Sequence, residues 1–463
     1  MQIELPVVPD TTLIRKYGVA GSRYTSYPSA LNFNDGVGNA AFEETVQTSN
    51  DELIPAPLSL YVHIPFCRSL CYYCGCNKRV TRNPAVVSGY LAVLATEIAR
   101  KGVLFDTDRP VEQLHFGGGT PTYLDAMQRA GVMNALARHF DLSSGPSRDF
   151  SIEVDPRTVL AQELSQLAAL GFNRVSFGVQ DTNPGVQRAI NRTHSVADLA
   201  ILVAAARRYG LKTVSFDLIY GLPEQTPDSF EETLASVVAL DPDSLSVFSY
   251  AHLPHLFPAQ KMLAKQDLPD ADSRLTMFAT AIDFLQAEGY EYIGMDHFAR
   301  PGSHLAKARD THDLHRCFQG YASGGRCDTL GLGVSAISRI GDAYFQNDKD
   351  LRGYATAIEQ GKYAVARGYQ LTAEDRRIAT VINELMCYGS IDTDAWNRTY
   401  EGYFQAFFAD ELQALEALSA DGLVVVDGQR ISVTATGRLF LRNIARCFDR
   451  QACAQAGHYS STV

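Results

Sequence analysis

The stretch that decides the fold of this chain runs from residue 61 to residue 80 and reads YVHIPFCRSLCYYCGCNKRV. It contains Cys67, Cys71, Cys74 and Cys76, which are four of the nine cysteines in the chain. Thiolates spaced by four and then three residues can surround one soft metal centre from a short loop. This spacing predicts a [4Fe-4S] cluster with Cys67, Cys71 and Cys74 as ligands, and with one iron left open to a ligand that is not protein.

Three other interpretations of the cysteine-rich loop remain open from these residues alone. The loop could hold a structural zinc ion, it could carry an electron-transfer cluster with Cys76 as fourth ligand, or its thiols could be buried together by chance. Structural zinc usually takes two ligand pairs separated by a longer loop, and no later cysteine or histidine pair has a convincing spacing. Because Cys76 lies only two residues beyond Cys74, we favour a role other than ligand for Cys76.

Length and composition set the class of protein. The chain has 463 residues, of which 46% are hydrophobic and 20% charged, and its net charge is −11. These values are typical of a globular protein with two domains, or with one large barrel and additions. The negative charge argues against a general nucleic-acid surface, so we expect no nucleic-acid partner. An acidic substrate would need a local cluster of Arg and Lys.

The sequence also indicates in which cellular compartment the protein is expected. The first residues, MQIELPVVPDTTLIRKYG, lack the basic start and apolar core of a secretory signal. The longest apolar run, residues 199–206, is far shorter than the roughly 18 residues that span a bilayer. Most of the cysteines are scattered, which suits a reducing compartment. We therefore expect a cytoplasmic chain without a membrane span, and we expect a monomer.

Strand and helix patterns alternate from about residue 58. The candidate strands are residues 58–64, 111–116, 150–155, 174–180, 213–219 and 244–250. Between the first two, Asn83 and Pro84 form an N-cap and first turn, and Gly102 is expected just past the end of that helix. Such alternation predicts a parallel sheet with right-handed crossovers, either open or closed toward a barrel.

One face of these strands is repeatedly polar. In residues 150–155, 174–180 and 213–219, apolar and polar side chains alternate, whereas parallel strands buried on both faces are normally apolar throughout. The polar face is therefore expected to line a ligand cavity, which favours a wide or incomplete barrel. Glu153, Gln180 and Asp217 lie at or near the carboxyl ends of their strands, where β/α proteins bind ligands. The cysteine loop follows the first strand and opens on the same rim.

The second strand ends in the sequence HFGGGTPTY. Consecutive glycines let backbone amides approach a ligand closely. A phosphate-binding loop is the obvious alternative, but no Gly-Lys-Ser/Thr ending follows. Taken alone, the motif is equally compatible with a plain tight turn.

The two ends of the chain differ from its middle. Residues 1–55 contain GSRYTSYPS, which predicts an extended surface arm, or an arm that covers a site for an aromatic anion through Arg23. Residues 366–463 are mainly helical, with a hairpin around Asp427 and Gly428 that is typical of a winged-helix-like unit. Because its helices are acidic, we interpret this unit as a lid or scaffold on a barrel formed by residues 56–365.

The motifs resemble a known superfamily. Cys-x3-Cys-x2-Cys with Tyr73 before its last cysteine resembles the radical S-adenosylmethionine (SAM) enzymes, and the glycine motif at residues 117–121 is similar to theirs. The Cys-Gly-Cys ending, the RYTSYP arm and segments such as NRTH (191–194) and GLGVSAIS (331–338) resemble, over nearly the whole chain, the oxygen-independent coproporphyrinogen III oxidases of haem synthesis.

The resemblance implies a fold, a reaction and a set of site residues. The fold is α/β, an incomplete parallel (β/α) barrel of radical SAM type with an N-terminal arm and a mainly helical C-terminal domain. The reaction is the anaerobic oxidative decarboxylation of two propionates of coproporphyrinogen III to vinyl groups by a 5′-deoxyadenosyl radical, with electrons from a low-potential one-electron donor protein. No side chain is assigned as a general base.

The resemblance also implies two SAM molecules beside the cluster. The first would be contacted by Tyr61, Gly118, Glu153 and Ile337, and the second by Tyr73, Gly119, Thr120, Gln180, Arg192, Asp217 and Ala251. Arg23, Arg300 and Arg316 are candidates for anchoring substrate carboxylates. A related haem chaperone is the main alternative, although such relatives typically lack the arm and the Cys-Gly-Cys ending. A zinc scaffold without redox activity is a remoter one.

Overall fold

The computed structural model describes residues 11–18, 21–145, 148–263 and 268–451. The strands are β1 Leu58–Ile64, β2 Phe66–Cys67, β3 Arg79–Val80, β4 Pro110–Gly118, β5 Asp141–Leu142, β6 Asp149–Val154, β7 Arg174–Gln180, β8 Thr213–Tyr220, β9 Ser244–Ser249, β10 Glu291–Gly294, β11 His297–Ala299, β12 His315–Cys317, β13 Gly320–Ala322, β14 Asp328–Leu332, β15 Ile337–Ile340, β16 Ala343–Asn347, β17 Val365–Gln370, β18 Ser390–Asp392, β19 Val424–Val426 and β20 Arg430–Val433.

The α-helices are α1 Thr11–Tyr17, α2 Asn39–Asn50, α3 Pro84–Gly102, α4 Ala126–Ala137, α5 Glu163–Ala169, α6 Pro184–Ala189, α7 Val196–Arg208, α8 Pro227–Val238, α9 Ala271–Ala287, α10 His304–Asp310, α11 Leu351–Glu359, α12 Ala373–Tyr388, α13 Thr393–Tyr400, α14 Phe404–Phe407, α15 Ala409–Ala420 and α16 Leu441–Cys447. Among the described residues, no helix is long and apolar enough to cross a membrane.

A 13-stranded sheet forms the centre of the molecule. Its parallel part follows the order β14, β1, β4, β6, β7, β8, β9, and antiparallel strands extend it on both sides. Within the described residues, no pairing joins the two terminal strands, β10 and β17, so the sheet does not close. The predicted fold class, an incomplete parallel barrel with helical additions, is confirmed.

All six candidate strands form within two residues of their predicted bounds. The helix start is also confirmed, because Asn83 caps α3 and Pro84 is its first residue. The predicted position of Gly102 just past the helix is wrong, since it is the last residue of α3. A Cβ at Gly102 would lie 2.6 Å from the Cβ of His139, so this glycine permits close packing and does not end the helix.

A buried charged cluster attaches α3 to the strands beside it. Lys101 and Glu97, both 0% exposed, form an ion pair of 2.8 Å. Lys101 also donates to the Gly331 carbonyl and to Asn347 Oδ1 at 3.1 Å each. Glu97 accepts from Tyr354 at 2.6 Å. The pair therefore connects α3 with β14, β16 and α11.

The arm and the C-terminal region contact each other and the sheet. The prediction of an extended arm is wrong at residues 11–17 and 39–50, which form α1 and α2. Phe42 and Val46 on α2 are buried in the core, and this packing stabilises a helix in that part of the arm. The predicted hairpin around Asp427 and Gly428 is present as β19 and β20. β17 pairs with β16 in the main sheet, and the division into units at residues 55 and 365 stays a prediction.

Candidate active site at the cysteine loop

The cysteine loop is fixed to the rim of the sheet on both sides. The pair formed by β2 and β3 sets Cys67 opposite Val80, and the Thr81 amide donates to the Cys67 carbonyl at 3.2 Å. On the other side, Asn191 donates to the Leu70 carbonyl at 2.8 Å. The loop therefore lies at the carboxyl ends of β1, β4, β6 and β7, where the sequence places it.

Cys67, Cys71 and Cys74 line one cavity of about 430 Å³. Cys67 and Cys71 are buried, Cys74 is half-buried and Cys76, which also borders the cavity, is exposed. Two further sets of predicted residues line the same cavity: the glycine motif (Gly118, Gly119, Thr120) and the side chains Tyr73, Glu153, Gln180, Arg192 and Asp217. The structure thus brings together eleven of the seventeen predicted site residues.

Hydrogen-bond donors point at the sulfur atoms. The hydroxyl of Thr120 donates to Cys67 Sγ at 3.5 Å, and two guanidinium groups, from Arg157 and Arg192, donate to Cys71 Sγ at 3.4 and 3.5 Å. Cations and donors around thiolates stabilise negative charge on sulfur. The residues present therefore fit a thiolate-bound iron–sulfur cluster.

The thiols differ in how readily they lose a proton. Burial raises the pKa of Cys67 to about 11, although the Thr120 hydroxyl opposes this shift. The side-chain hydrogen bond with Cys76 lowers the pKa of Cys74 to about 6, even though burial opposes it, and Lys78 contributes in the same direction. The same bond raises the pKa of Cys76.

The glycine motif lies directly against the cysteine loop. Gly118 has a φ of 122°, and its amide donates to Glu153 Oε2 at 3.1 Å. A Cβ at Gly119 would lie 3.0 Å from Cys67 Sγ and 2.8 Å from the backbone of Pro65. A side chain at Gly119 would therefore press on Cys67, whereas one at Gly118 would press on His63 and on the Ile64 carbonyl, each 2.9 Å from its Cβ.

Arg192 is held by a carboxylate that the sequence analysis did not single out. Its Nη1 atom lies 2.9 Å from Asp155 Oδ2, and its Nε atom donates to the Gly178 carbonyl at 3.0 Å. Arg157 donates to the same oxygen of Asp155 at 2.7 Å. Although burial alone would raise it, the two guanidinium groups lower the pKa of Asp155 to about 2. Asp155 directly follows β6 and Arg157 lies two residues beyond it, and this position after a strand is the signal that could have revealed them.

A second cavity, of about 350 Å³, adjoins the first and shares Cys76, Gly118 and Glu153 with it. Tyr61, Ile337 and Arg316 line this second cavity. The Tyr61 hydroxyl donates to His63 Nδ1 at 3.0 Å if His63 is protonated on Nε2, where the Asn77 carbonyl accepts at 2.9 Å. His115, which stacks on Tyr61 with ring centroids 5.9 Å apart, also lines the cavity.

Ala251 lines neither cavity but is connected to Tyr73. The buried amide of Gln260 donates to the carbonyls of Tyr73 and Ala251 at 2.9 and 3.0 Å. Gln260 also accepts from the Leu253 amide at 2.6 Å. Gln260 therefore connects the cysteine loop at Tyr73 with the backbone at Ala251, and nothing in its sequence context indicated this role.

The three predicted arginines have separate positions. Arg316 lines the second cavity, and its Nη1 atom is buried, lies 3.9 Å from Asp296 and has no hydrogen-bond partner within the described residues. Arg23, in the arm, lies 3.6 Å from the other oxygen of Asp296, and its carbonyl accepts from Arg316 Nε at 3.4 Å. Arg300 is not brought to either cavity, because it pairs with Asp241 at 2.9 Å before β9, at the opposite end of the strands.

Arg339 is a further cavity residue that sequence reasoning missed. It is exposed and lines the second cavity, and its guanidinium group has no ion pair or hydrogen bond with any residue that the structure describes. Ile337 and Arg339 share a face of β15, since side chains two residues apart point the same way. That alternation, in GLGVSAISRI, is the signal that could have identified it.

Comparisons with known proteins agree with this geometry. A model of the radical SAM superfamily matches residues 61–237, and a model of the HemN C-terminal domain matches residues 371–440. Oxygen-independent coproporphyrinogen III oxidases of Salmonella typhimurium and Pseudomonas aeruginosa are 48% and 44% identical, with 95% of each chain covered.

The chain belongs to the family of oxygen-independent coproporphyrinogen III oxidases. The structure of the coproporphyrinogen III oxidase HemN from Escherichia coli, a radical SAM enzyme, is also similar, with a TM-score of 0.89 and 45% identity over 97% of this chain and 100% of that one. The resemblance inferred from the motifs is thereby confirmed, as is the prediction of a radical SAM oxidoreductase.

The carboxyl group of Asp217, on the polar inner face of the sheet, makes the stability of the protein depend on pH. It faces Glu153, Ser176, Ser246 and His297, and burial, with a further contribution from Glu153, raises its pKa to about 6 from an ordinary value of 3.8. Since the folded state binds this proton more tightly than the unfolded state does, the contribution of Asp217 to the free energy of unfolding becomes more favourable as the pH falls from about 6 to about 4.

We therefore expect Asp217→Asn to stabilise the cluster-free protein above pH 6 by about 1–3 kcal/mol, and to have little effect below pH 4. Unfolding curves across this pH range would measure the difference. Asp283→Asn, at an exposed position on α9, is the control and should show no such trend. A gap between the Asp217→Asn and wild-type proteins that is constant with pH would contradict the assignment.

Proposed function

We propose that this chain catalyses the anaerobic oxidative decarboxylation of two propionate side chains of coproporphyrinogen III, which gives protoporphyrinogen IX. The observation that supports this most directly is the pair of adjoining cavities. One is lined by the three cysteines and the glycine motif, the other by Arg316 and Arg339, and both include Gly118 and Glu153. The geometry therefore offers a cofactor site that opens on a site for an anionic substrate.

Cys67, Cys71 and Cys74 would hold a [4Fe-4S] cluster. When bound, the cluster and SAM supply a carbon-centred radical that removes one hydrogen atom from the substrate. The chain positions the reactants and excludes water. Thr120, Arg157 and Arg192 stabilise the charge on the sulfur atoms through the contacts described above.

We assign two SAM molecules to the site. Tyr61, Gly118, Glu153 and Ile337 would contact the molecule on the cluster, and Tyr73, Gly119, Thr120, Gln180, Arg192, Asp217 and Ala251 would contact the second. The placement of Tyr61 and Ile337 beside Gly118 and Glu153 supports the first group. The shared cavity of Tyr73, Gln180, Arg192 and Asp217, and the bonds of Gln260 to Tyr73 and Ala251, support the second.

The substrate carboxylates require cations. The unsatisfied Nη1 atom of Arg316 and the unpaired guanidinium of Arg339 are the groups that could bind them. Arg23 would act through its contacts with Asp296 and Arg316. Thr25, two residues further along the arm, lines the second cavity, so the arm would cover the bound substrate.

Each turnover must balance in atoms and electrons. A propionate that loses one hydrogen atom from its β-carbon, carbon dioxide and one further electron becomes a vinyl group. The hydrogen atom ends on 5′-deoxyadenosine, and a one-electron acceptor takes the electron. A low-potential one-electron donor protein would reduce the cluster. We place this activity in the cytoplasm and assign it to a monomer, without a nucleic-acid partner.

An anaerobic assay with reconstituted protein, coproporphyrinogen III, SAM and dithionite tests the proposal. We expect protoporphyrinogen IX to form together with 5′-deoxyadenosine. We expect Arg339→Gln to raise the KM for the porphyrinogen about tenfold or more, because a charge-assisted hydrogen bond contributes about 1.5–3 kcal/mol. Arg300→Gln, outside both cavities, is the control.

Three outcomes separate the alternatives. SAM cleavage without a porphyrin product, from protein with a full cluster, would contradict the proposed substrate and favour the haem chaperone. Equal KM values for Arg339→Gln, Arg300→Gln and the wild type would refute the role of Arg339 alone. Product formed without 5′-deoxyadenosine would refute the radical reaction.

A further inference from the structure

The surface beside Cys67 carries a concentration of positive charge in an acidic protein. Arg68, Arg79 and Arg82 are exposed, and we call them the basic edge. The pairing of β2 with β3 places Arg79 opposite Phe66 and Val80 opposite Cys67, so the edge adjoins a proposed cluster ligand. The chain as a whole has a net charge of −11, which makes a local basic surface unusual.

These guanidinium groups are available to a partner. The side chains of Arg68, Arg79 and Arg82 make no ion pair or hydrogen bond with any residue of the described ranges. Asp125 lies in a neighbouring turn, which is held by the 3.1 Å hydrogen bond from the Tyr123 hydroxyl to the Thr81 carbonyl. The Asp125 carboxylate caps α4 and forms no ion pair with these arginines. Exposed arginines that do not pair internally pay no cost of losing a partner when they bind an external anion.

The edge also carries an exposed apolar residue. Val80 is 43% exposed and lies between Arg79 and Arg82. A protein interface typically combines an apolar centre with a charged rim, and arginine is enriched in such surfaces. The combination fits a protein partner better than a free inorganic anion, which would contact the guanidinium groups alone.

We propose that the basic edge is the docking surface for an acidic one-electron donor protein that reduces the cluster. This inference rests on the proposed function, which requires such a donor. Because electron transfer weakens steeply with distance, the donor must approach the cluster closely, and the edge is the surface directly outside Cys67. Opposite charges on the two proteins would steer the encounter and set its orientation.

The test uses the charge reversals Arg79→Glu and Arg82→Glu together. Arg68 is left unchanged because it also borders the first cavity. The control carries Arg208→Glu and Arg398→Glu, which alter the net charge equally at exposed positions on α7 and α13. The probe is a flavodoxin, an acidic flavin protein, whose affinity for the cluster-loaded protein is measured at low ionic strength. Activity is then compared with reduced flavodoxin and with dithionite as the electron source.

We expect the edge variant to bind flavodoxin at least about tenfold more weakly than the control does, and added salt to reduce the difference. With dithionite, both variants should match the wild type. Equal affinities for the edge variant and the control would overturn the docking surface, whatever the activity. A wild-type protein that makes no product with dithionite would instead overturn the proposed function, while the affinity comparison would still decide the docking surface.

Discussion

Serine in place of Cys71 is expected to lower product formation by more than about a thousandfold, equivalent to about 4 kcal/mol of transition-state stabilisation. An alkoxide ligand is far harder to form at neutral pH than a thiolate and is a poor match for iron in a sulfur-bound cluster. Cys71 is also the sulfur that receives N–H donors from both Arg157 and Arg192. Its loss removes one of three protein ligands and the acceptor of those two guanidinium groups.

Iron content, visible absorbance and product formation of the anaerobically reconstituted protein would measure this effect. Cys447→Ser is a suitable control, since Cys447 is half-buried on α16 and donates weakly to the Asn443 carbonyl at 3.6 Å. The control should keep the cluster and the activity. A Cys71→Ser protein with full iron content and normal activity would show that the loop does not bind the cluster as proposed.

Methionine in place of Lys101 is expected to destabilise the protein by about 3–5 kcal/mol, because it leaves the buried Glu97 carboxylate without its countercharge. Methionine preserves most of the volume, so the loss reports charge and not a cavity. Glu97 would keep its bonds from Tyr354 and Asn347 at 2.6 Å each, but those donors are neutral.

Denaturant unfolding of the cluster-free protein would measure the loss. Adding Glu97→Gln to Lys101→Met should recover a part of it, because the unpaired buried charge is then absent. Lys307→Met, at an exposed position on α10, should stay within about 0.5 kcal/mol of the wild type. A loss of less than 1 kcal/mol for Lys101→Met would contradict the importance of the pair.

The sequence predicts the sheet and the cavity because both depend on short-range patterns. Alternation of apolar and polar residues in 174–180 and 213–219 marks strands with one polar face, and β7 and β8 form there with that face on a cavity. The spacing of the cysteines and the run of glycines are local in the same way. These patterns can be interpreted from the sequence because the residues that form each strand or loop are neighbours in the chain.

What the sequence could not predict depends on contacts between distant segments. Glu97 and Lys101 have the i,i+4 spacing of an ordinary exposed helix pair, yet β14 and α11 bury them completely. Arg300 resembles other candidate anion-binding residues in its polar sequence context, but its pairing with Asp241 places it at the far end of the strands. The residues next to Arg300 in the sequence carry no signal of this pairing with a distant segment.

The proposed reaction transfers a hydrogen atom from a substrate propionate to 5′-deoxyadenosine. Coproporphyrinogen III with deuterium at the β-carbons of its propionates tests this directly, with mass spectrometry of the 5′-deoxyadenosine formed during turnover. We predict that the nucleoside gains deuterium in proportion to the vinyl groups made. Vinyl products that form while the 5′-deoxyadenosine stays unlabelled would contradict the account.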